Sequence, residues 1–283
     1  MSPLQGSPSL RAALAEYYSV PPDCVLCCVP QEGIYLTMRC LAHMLGADGE
    51  PLHAIYTWPA YQSLSEVLTI SGAEMTPWPI EATGSGWSFS LEKLEGLVRP
   101  STKILVVNFP HNPSSWRPSP QQWDSLLNFC AERNIFLFSD EIYRFLSIAD
   151  SGSEHAKPLR CAVNALPGNA ALMSGFSKCF GMPGIRLGWI VTRNAALMQL
   201  LKQYKDYLTI CSPAPCEVLG RIAFRHRDNL FARLRHIIQG NLSLMDKLSA
   251  RFPEAFHWYS PLHGTVALVR LGPALLRHYH DTR

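Results

Sequence analysis

The 283-residue chain has no uninterrupted apolar run long enough to cross a bilayer, no internal repeat, no low-complexity tract and no block of like charge. These absences leave nothing that predicts a membrane-spanning helix. With 25 Lys and Arg against 22 Asp and Glu, and a net charge of +3, they also argue against a basic nucleic-acid binder. Residues 1–6 have neither a basic start nor an apolar stretch, so no secretory leader is expected and the cytoplasm is the default compartment. What is there is ordinary for a globular enzyme. At 47% hydrophobic and 17% charged residues, the chain can bury a substantial core, and one large domain with a smaller partner is expected.

Cysteine is not scarce, but its nine copies are odd in number and unevenly scattered in a chain too long to need disulfide staples. Reduced thiols follow. Cys24 and Cys27, then Cys40 and His43, imitate the spacing of a four-ligand zinc site. Cys27 and Cys28, however, lie in the apolar run 25–29, and Cys40 and His43 in the helical pattern 34–45. Buried thiols are therefore expected, and no metal.

Short β-rich runs alternate with helical patterns, the signature of parallel strands joined by crossover helices. Strands are expected at 25–29, 52–57, 74–78, 103–109, 135–139, 170–174 and 187–191, and helices at 9–18, 33–45, 61–70, 91–98, 120–132 and 195–208. The helix at 120 has the clearest start: Ser119 can cap it, Pro120 suits its first turn and Gln122 completes a capping box. After Cys211 the pattern turns helical, with a long amphipathic stretch at 229–251 and two strands near 256–258 and 265–271. The Gly- and Ser-rich segments 81–86 and 151–152 read as surface loops.

Three motifs stand at the ends of apolar strands. Ser174-Gly-Phe-Ser-Lys178-Cys-Phe-Gly-Met-Pro-Gly-Ile-Arg186-Leu-Gly188 sets one lysine in a glycine-rich loop eight residues before one arginine. A lysine able to form an imine and an arginine suited to a bidentate phosphate contact suggest pyridoxal phosphate. Asp140, in Ser139-Asp140-Glu141-Ile142-Tyr143, follows the apolar 135–138, at the carboxyl end of a strand where open α/β sheets bind ligands; a helix cap is the plainer role. Asn112, in Asn108-Phe-Pro-His-Asn112-Pro113-Ser114, ends another apolar strand, where Asn-Pro can also be a simple turn.

Together these motifs resemble the signatures of the class I and II aminotransferases, the fold type I pyridoxal-phosphate enzymes. The resemblance begins at Gly6-Ser-Pro-Ser-Leu-Arg11 and runs in order to about Thr265. It implies an α/β fold: a large cofactor-binding domain (19–225) of mostly parallel sheet with flanking helices, and a smaller α+β domain (1–18 and 226–283). It also implies a role for each residue. Lys178 would form the imine with the cofactor and then serve as the base that moves the substrate α-proton, and Asp140 would hold the ring nitrogen protonated. Tyr143 and Asn112 would contact the phenolic oxygen, Tyr61 would stack on the ring, and Arg186, Ser177 and Gln31 would face the phosphate.

The implied activity is transfer of an amino group between an amino acid and a 2-oxo acid, by a cytoplasmic homodimer. A β-lyase, decarboxylase or cyclase would use the same residues, and a cofactor-binding pseudoenzyme is the alternative outside catalysis. The sequence departs from the family pattern in several places. Gly175 stands where many relatives have serine, Ser115 replaces a glycine, and Pro30, in Val29-Pro30-Gln31-Glu32-Gly33, has no amide proton to offer a phosphate. An N-terminal arm and a C-terminal arginine for the substrate carboxylate have no counterpart, since Arg270, Arg277 and Arg283 do not match that context. Slow or absent turnover is therefore expected, whether from a truncated gene model, a different clamp or degeneration.

Overall fold

The computed structural model of the chain describes residues 3–46, 51–84, 86–149, 152–273 and 275–277. Ser151 of the expected loop and Arg283 lie outside the described residues. In chain order the elements are α1 (Pro8–Tyr18), β1 (Val25–Cys28), α2 (Pro30–Leu45), β2 (His53–Trp58), α3 (Ser63–Thr69), β3 (Glu74–Pro79), β4 (Glu81–Thr83), β5 (Gly86–Ser88), α4 (Leu91–Leu97), β6 (Thr102–Asn108), α5 (Pro120–Glu132), β7 (Phe136–Asp140), α6 (Ala162–Ala165), β8 (Ala170–Gly175), β9 (Gly188–Thr192), α7 (Ala195–Lys205), α8 (Ala214–Arg225), α9 (Arg227–Arg251), β10 (Phe256–His257) and β11 (Arg270–Leu271).

All seven strands expected up to residue 191 join one sheet, in the order β1-β9-β8-β7-β6-β2-β3. Only β9 runs antiparallel to its neighbours. Residues 176–187, which carry the lysine, link β8 to β9 without a crossover helix, so the chain returns beside β8 in the opposite sense. Strands β7 and β8 are buried along their whole length because helices cover both faces of the sheet, and this is why their sequences are continuous apolar runs. Phe136, Phe138, Phe176 and Trp189 are each fully buried, worth roughly 1.5–3 kcal/mol apiece against exposure.

Helix α5 has the expected bounds. Ser119 Oγ accepts from Gln122 N at 3.2 Å and Gln122 Oε1 accepts from Ser119 N at 2.8 Å, the reciprocal pair of a capping box. Other expectations need correction. Helix α2 begins at Pro30, three residues earlier than its apolar period suggests, because Pro30 fits a first turn and Glu32 accepts from Val29 N at 3.3 Å. Helix α3 starts after Tyr61, and α7 stops at Lys205. Residues 81–88 form the β4–β5 hairpin where a loop was expected, and β11 covers only the end of the expected 265–271 strand. Helices α6 and α8 had no bounds from sequence. Cys27, Cys28 and Cys40 are buried in β1 and α2, while His43 is exposed.

Candidate active site

Parallel β6 and β7 end level, with Asn108 opposite Asp140, and Met173 of β8 stands beside Asp140 on the other side. A cavity of about 270 Å³ opens over these carboxyl ends. The structure brings all eight sequence-chosen residues to its lining: Gln31, Tyr61, Asn112, Asp140, Tyr143, Ser177, Lys178 and Arg186. Five segments of distant sequence thus meet where an open α/β sheet offers a ligand site.

The floor of the cavity is tightly built. Asp140 is 4% exposed and its Oδ1 accepts from Ile142 N at 3.0 Å. Burial pushes its carboxyl up to about 7; the Ile142 amide opposes that and the Glu141 charge adds to it. Buried Tyr143 is raised to about 12, first by burial and then by the Asp140 charge, with a hydrogen bond to Thr265 opposing, so it stays a phenol at neutral pH. Asn108 ties the parts together: its Oδ1 accepts from Asn112 N at 2.8 Å and its Nδ2 donates to the Asp140 carbonyl at 3.0 Å. Sequence reasoning assigned Asn108 no role, although its place at the head of the Asn-Pro motif was a usable signal.

Two further devices hold the rim. Buried His111 bonds Ser114 Oγ through Nδ1 and the Pro59 carbonyl through Nε2, both at 2.8 Å, so it links the Asn112 turn to the segment that leads into Tyr61. Burial lowers its pKa to about 4, which keeps it neutral. Ser115 adopts φ 61°, the left-handed conformation that glycine takes more readily, and its hydroxyl donates to the Val266 carbonyl. The turn therefore survives the replacement.

The opposite wall is looser. Lys178 and Arg186 are exposed and Ser177 is half-buried. Arg186 stands at φ 49°, and its Nη1 donates to the Pro183 carbonyl at 2.9 Å. Gln31 Oε1 accepts from Tyr61 OH at 2.9 Å and its Nε2 donates to Ser63 Oγ at 2.7 Å. The Pro30 ring explains the missing serine. A Cβ on Gly175 would sit 3.0 Å from Pro30 Cγ and 3.2 Å from Gly188 Cα, so no larger side chain fits there without displacement. Glu32 anchors the turn from the far side, accepting from Thr209 Oγ1 at 2.6 Å.

These residues fit pyridoxal phosphate. A buried carboxyl poised near neutrality, with no cationic partner among the described residues, suits a protonated ring nitrogen, and Lys178 and Arg186 supply an amine and a cation on the same wall.

Comparison with known proteins agrees. The chain is 30% identical to capreomycidine synthase of Streptomyces vinaceus, over 81% of this chain and 55% of that protein. It is 25% identical to a probable N-succinyldiaminopimelate aminotransferase of Mycobacterium tuberculosis, over 94% of this chain and 66% of the other. The chain thus spans between about half and two thirds of the length of these relatives. Among solved structures, a PLP-dependent aminotransferase from Streptococcus suis superposes with a TM-score of 0.81 at 26% identity, covering 95% of this chain and 67% of that one. The PLP-dependent cyclase OrfR superposes at 0.85 and 27% identity, covering 98% and 69%. The family model for aminotransferase class I and II matches residues 1–280, and with its signatures gathered around one cavity this chain belongs to that family.

Proposed function

We propose that the chain is a pyridoxal-phosphate-dependent aminotransferase that moves an amino group between an amino acid and a 2-oxo acid. The observation that carries this reading is the convergence of Lys178, Asp140, Tyr143 and Asn112 on one cavity at the carboxyl edge of the sheet. Pyridoxal phosphate, when bound, supplies an electron sink for the substrate α-carbon. Lys178 Nζ would hold the cofactor and would be the base that takes and returns the substrate α-proton. Asp140 would keep a proton on the ring nitrogen, a role that suits its buried, near-neutral carboxyl. Tyr143 OH and the Asn112 amide would face the phenolic oxygen, and Tyr61 would face the ring. Arg186, Ser177 and Gln31 hold the phosphate. The division into a large domain (19–225) and a smaller one (1–18 with 226–283) belongs to the same reading.

The working form is a cytoplasmic homodimer. Tyr207, Leu208 and Ile210, all exposed, give an apolar face that a second copy can cover, and five buried cysteines suit a reducing compartment. Among the described residues no helix is long and apolar enough to cross a membrane.

A cyclase reading keeps the same residues and is favoured by the likeness to the PLP-dependent cyclase OrfR. Purified protein mixed with pyridoxal phosphate should take on the visible colour of lysine-bound cofactor, lose it with borohydride, and show neither change as Lys178→Ala. Product analysis with an amino donor and an oxo-acid acceptor then decides the reaction. Consumption of both supports transamination. A cyclised product with the acceptor untouched replaces it, and a protein that takes up no cofactor overturns both readings.

A further inference from the structure

A second and wider cleft, of about 660 Å³, lies between the β4–β5 hairpin, the segment 114–122 and residues 259–263. It shares no lining residue with the Lys178 cavity. No aspartate or glutamate lines it, and Arg117 is its one formally charged side chain.

Arg117 is 6% exposed and pairs with no carboxylate among the described residues. Its Nη1 and Nη2 donate to the Lys157 and Glu154 carbonyls at 2.9 and 3.3 Å, which pins that segment but leaves Nε unpartnered. Desolvation of an unpaired guanidinium is costly enough to lower its pKa to about 10, with the Arg144 charge adding to the effect.

Two imidazoles accompany it. His263 Nε2 and His155 Nδ1 are also buried without partners, and their rings lie 6.0 Å apart. Three of the seven orphaned buried polar atoms among the described residues therefore gather under this one cleft, which points to a missing ligand and not to scattered packing faults.

The charge defines the ligand. His263 is held neutral, its pKa lowered to about 3 by burial and then by Arg117 and His155, so the floor carries one fixed positive charge. That balances a monoanion and leaves a phosphate dianion uncompensated. A carboxylate offers two oxygens to the separated N–H donors of a guanidinium and an imidazole. The walls define the rest: the Trp87 and Tyr259 rings meet edge to face at 5.7 Å, with Trp116 beside the floor, and they favour a flat apolar body. We propose that this cleft is a second ligand site, independent of the Lys178 cavity, which binds a monocarboxylate of aromatic character on Arg117 and His263. The three orphaned nitrogens are closed to solvent, so the proposal requires the half-buried His155 to turn aside for the carboxylate to reach Arg117 and His263.

Phenylacetate and its uncharged counterpart phenylacetamide, titrated separately into the whole chain by calorimetry, test this. Phenylacetate should bind in the millimolar range or tighter and the amide at least about tenfold more weakly, the worth of one charge-assisted contact. Arg117→Gln should abolish phenylacetate binding and His263→Gln weaken it several-fold. Lys178→Ala and saturation with pyridoxal phosphate should leave it unchanged. Equal binding of acid and amide, no binding up to about 10 mM, or loss with Lys178→Ala but not with Arg117→Gln would overturn the proposal. If Arg117→Gln does not fold, the amide comparison and His263→Gln decide alone.

Discussion

The two walls of the Lys178 cavity are built to different standards. The floor, with Asp140, Asn108 and Tyr143, sits on strand ends, is buried, and is cross-linked by hydrogen bonds of 2.8–3.0 Å. The opposite wall, with Lys178, Ser177 and Arg186, sits on the β8–β9 connection and is exposed or half-buried, and its arginine bonds a backbone carbonyl of its own loop. Strand ends hold a side chain more rigidly than a surface loop does. On the proposed function, the floor would govern reactivity and the loop cofactor retention. Mutations can separate the two.

The largest effect is expected from Asp140→Asn. The amide keeps the shape and the Ile142 contact but cannot hold a proton on the ring nitrogen. Turnover should fall by about 10²–10⁴-fold while cofactor affinity falls far less. Equal losses in both would erase the distinction between floor and wall.

A pH experiment sharpens the same contrast without substrate. Asp140 is raised to about 7 in the folded chain from an ordinary 3.8, so between those values the folded state binds more protons than the unfolded. Its contribution to stability is full below pH 3.8 and is lost as pH rises through 7, by up to about 4 kcal/mol at 1.36 kcal/mol per pH unit. His111 and His263, both lowered, act in the opposite sense as pH falls below 6.5. Denaturation of wild type should be compared with Asp140→Asn at each pH. Their difference isolates the carboxyl, and a difference that does not change between pH 4 and 7 would refute the assignment.

The same contrast marks what the sequence could disclose. Asp140 and Asn112 were legible because the first ends an apolar strand and the second follows one by four residues, and a buried parallel strand writes itself as a continuous apolar run. Helix α5 was legible to the residue because its cap chemistry is local. The β4–β5 hairpin was not, since Gly84 and Gly86 read as a loop while its strands are only three residues long. Nor was the Tyr143–Thr265 contact, which joins residues far apart in the chain. Pro30 and Gly175 could each be seen as departures from the family pattern, but only the structure reveals them as one feature, with the ring of one filling the space over the other.

That feature carries the third prediction. Gly175→Ser should destabilise the chain by about 1–3 kcal/mol, because the new Cβ meets Pro30 Cγ at 3.0 Å on one side and the Gly188 backbone at 3.2 Å on the other. The proline ring can be removed but the Gly188 backbone cannot, so Pro30→Ala in the same chain should recover only part of the loss. Full recovery, measured by urea denaturation, would show that the ring alone excludes the serine.

Pro30→Ala alone has the smallest expected effect and tests the wall directly. Alanine suits a first helical turn, so α2 should keep its start, held as it is by the Glu32 bonds to Val29 N and Thr209 Oγ1. The substitution restores one N–H at a helix N-terminus beside the cavity, where the peptide dipoles already favour an anion. One added amide contact is worth about 0.5–1.5 kcal/mol, so pyridoxal phosphate should bind roughly two- to tenfold more tightly. Turnover per bound cofactor should not change, because no group of the floor has moved. A gain in turnover without a gain in affinity would mean that the loop wall, and not the strand ends, sets the chemistry.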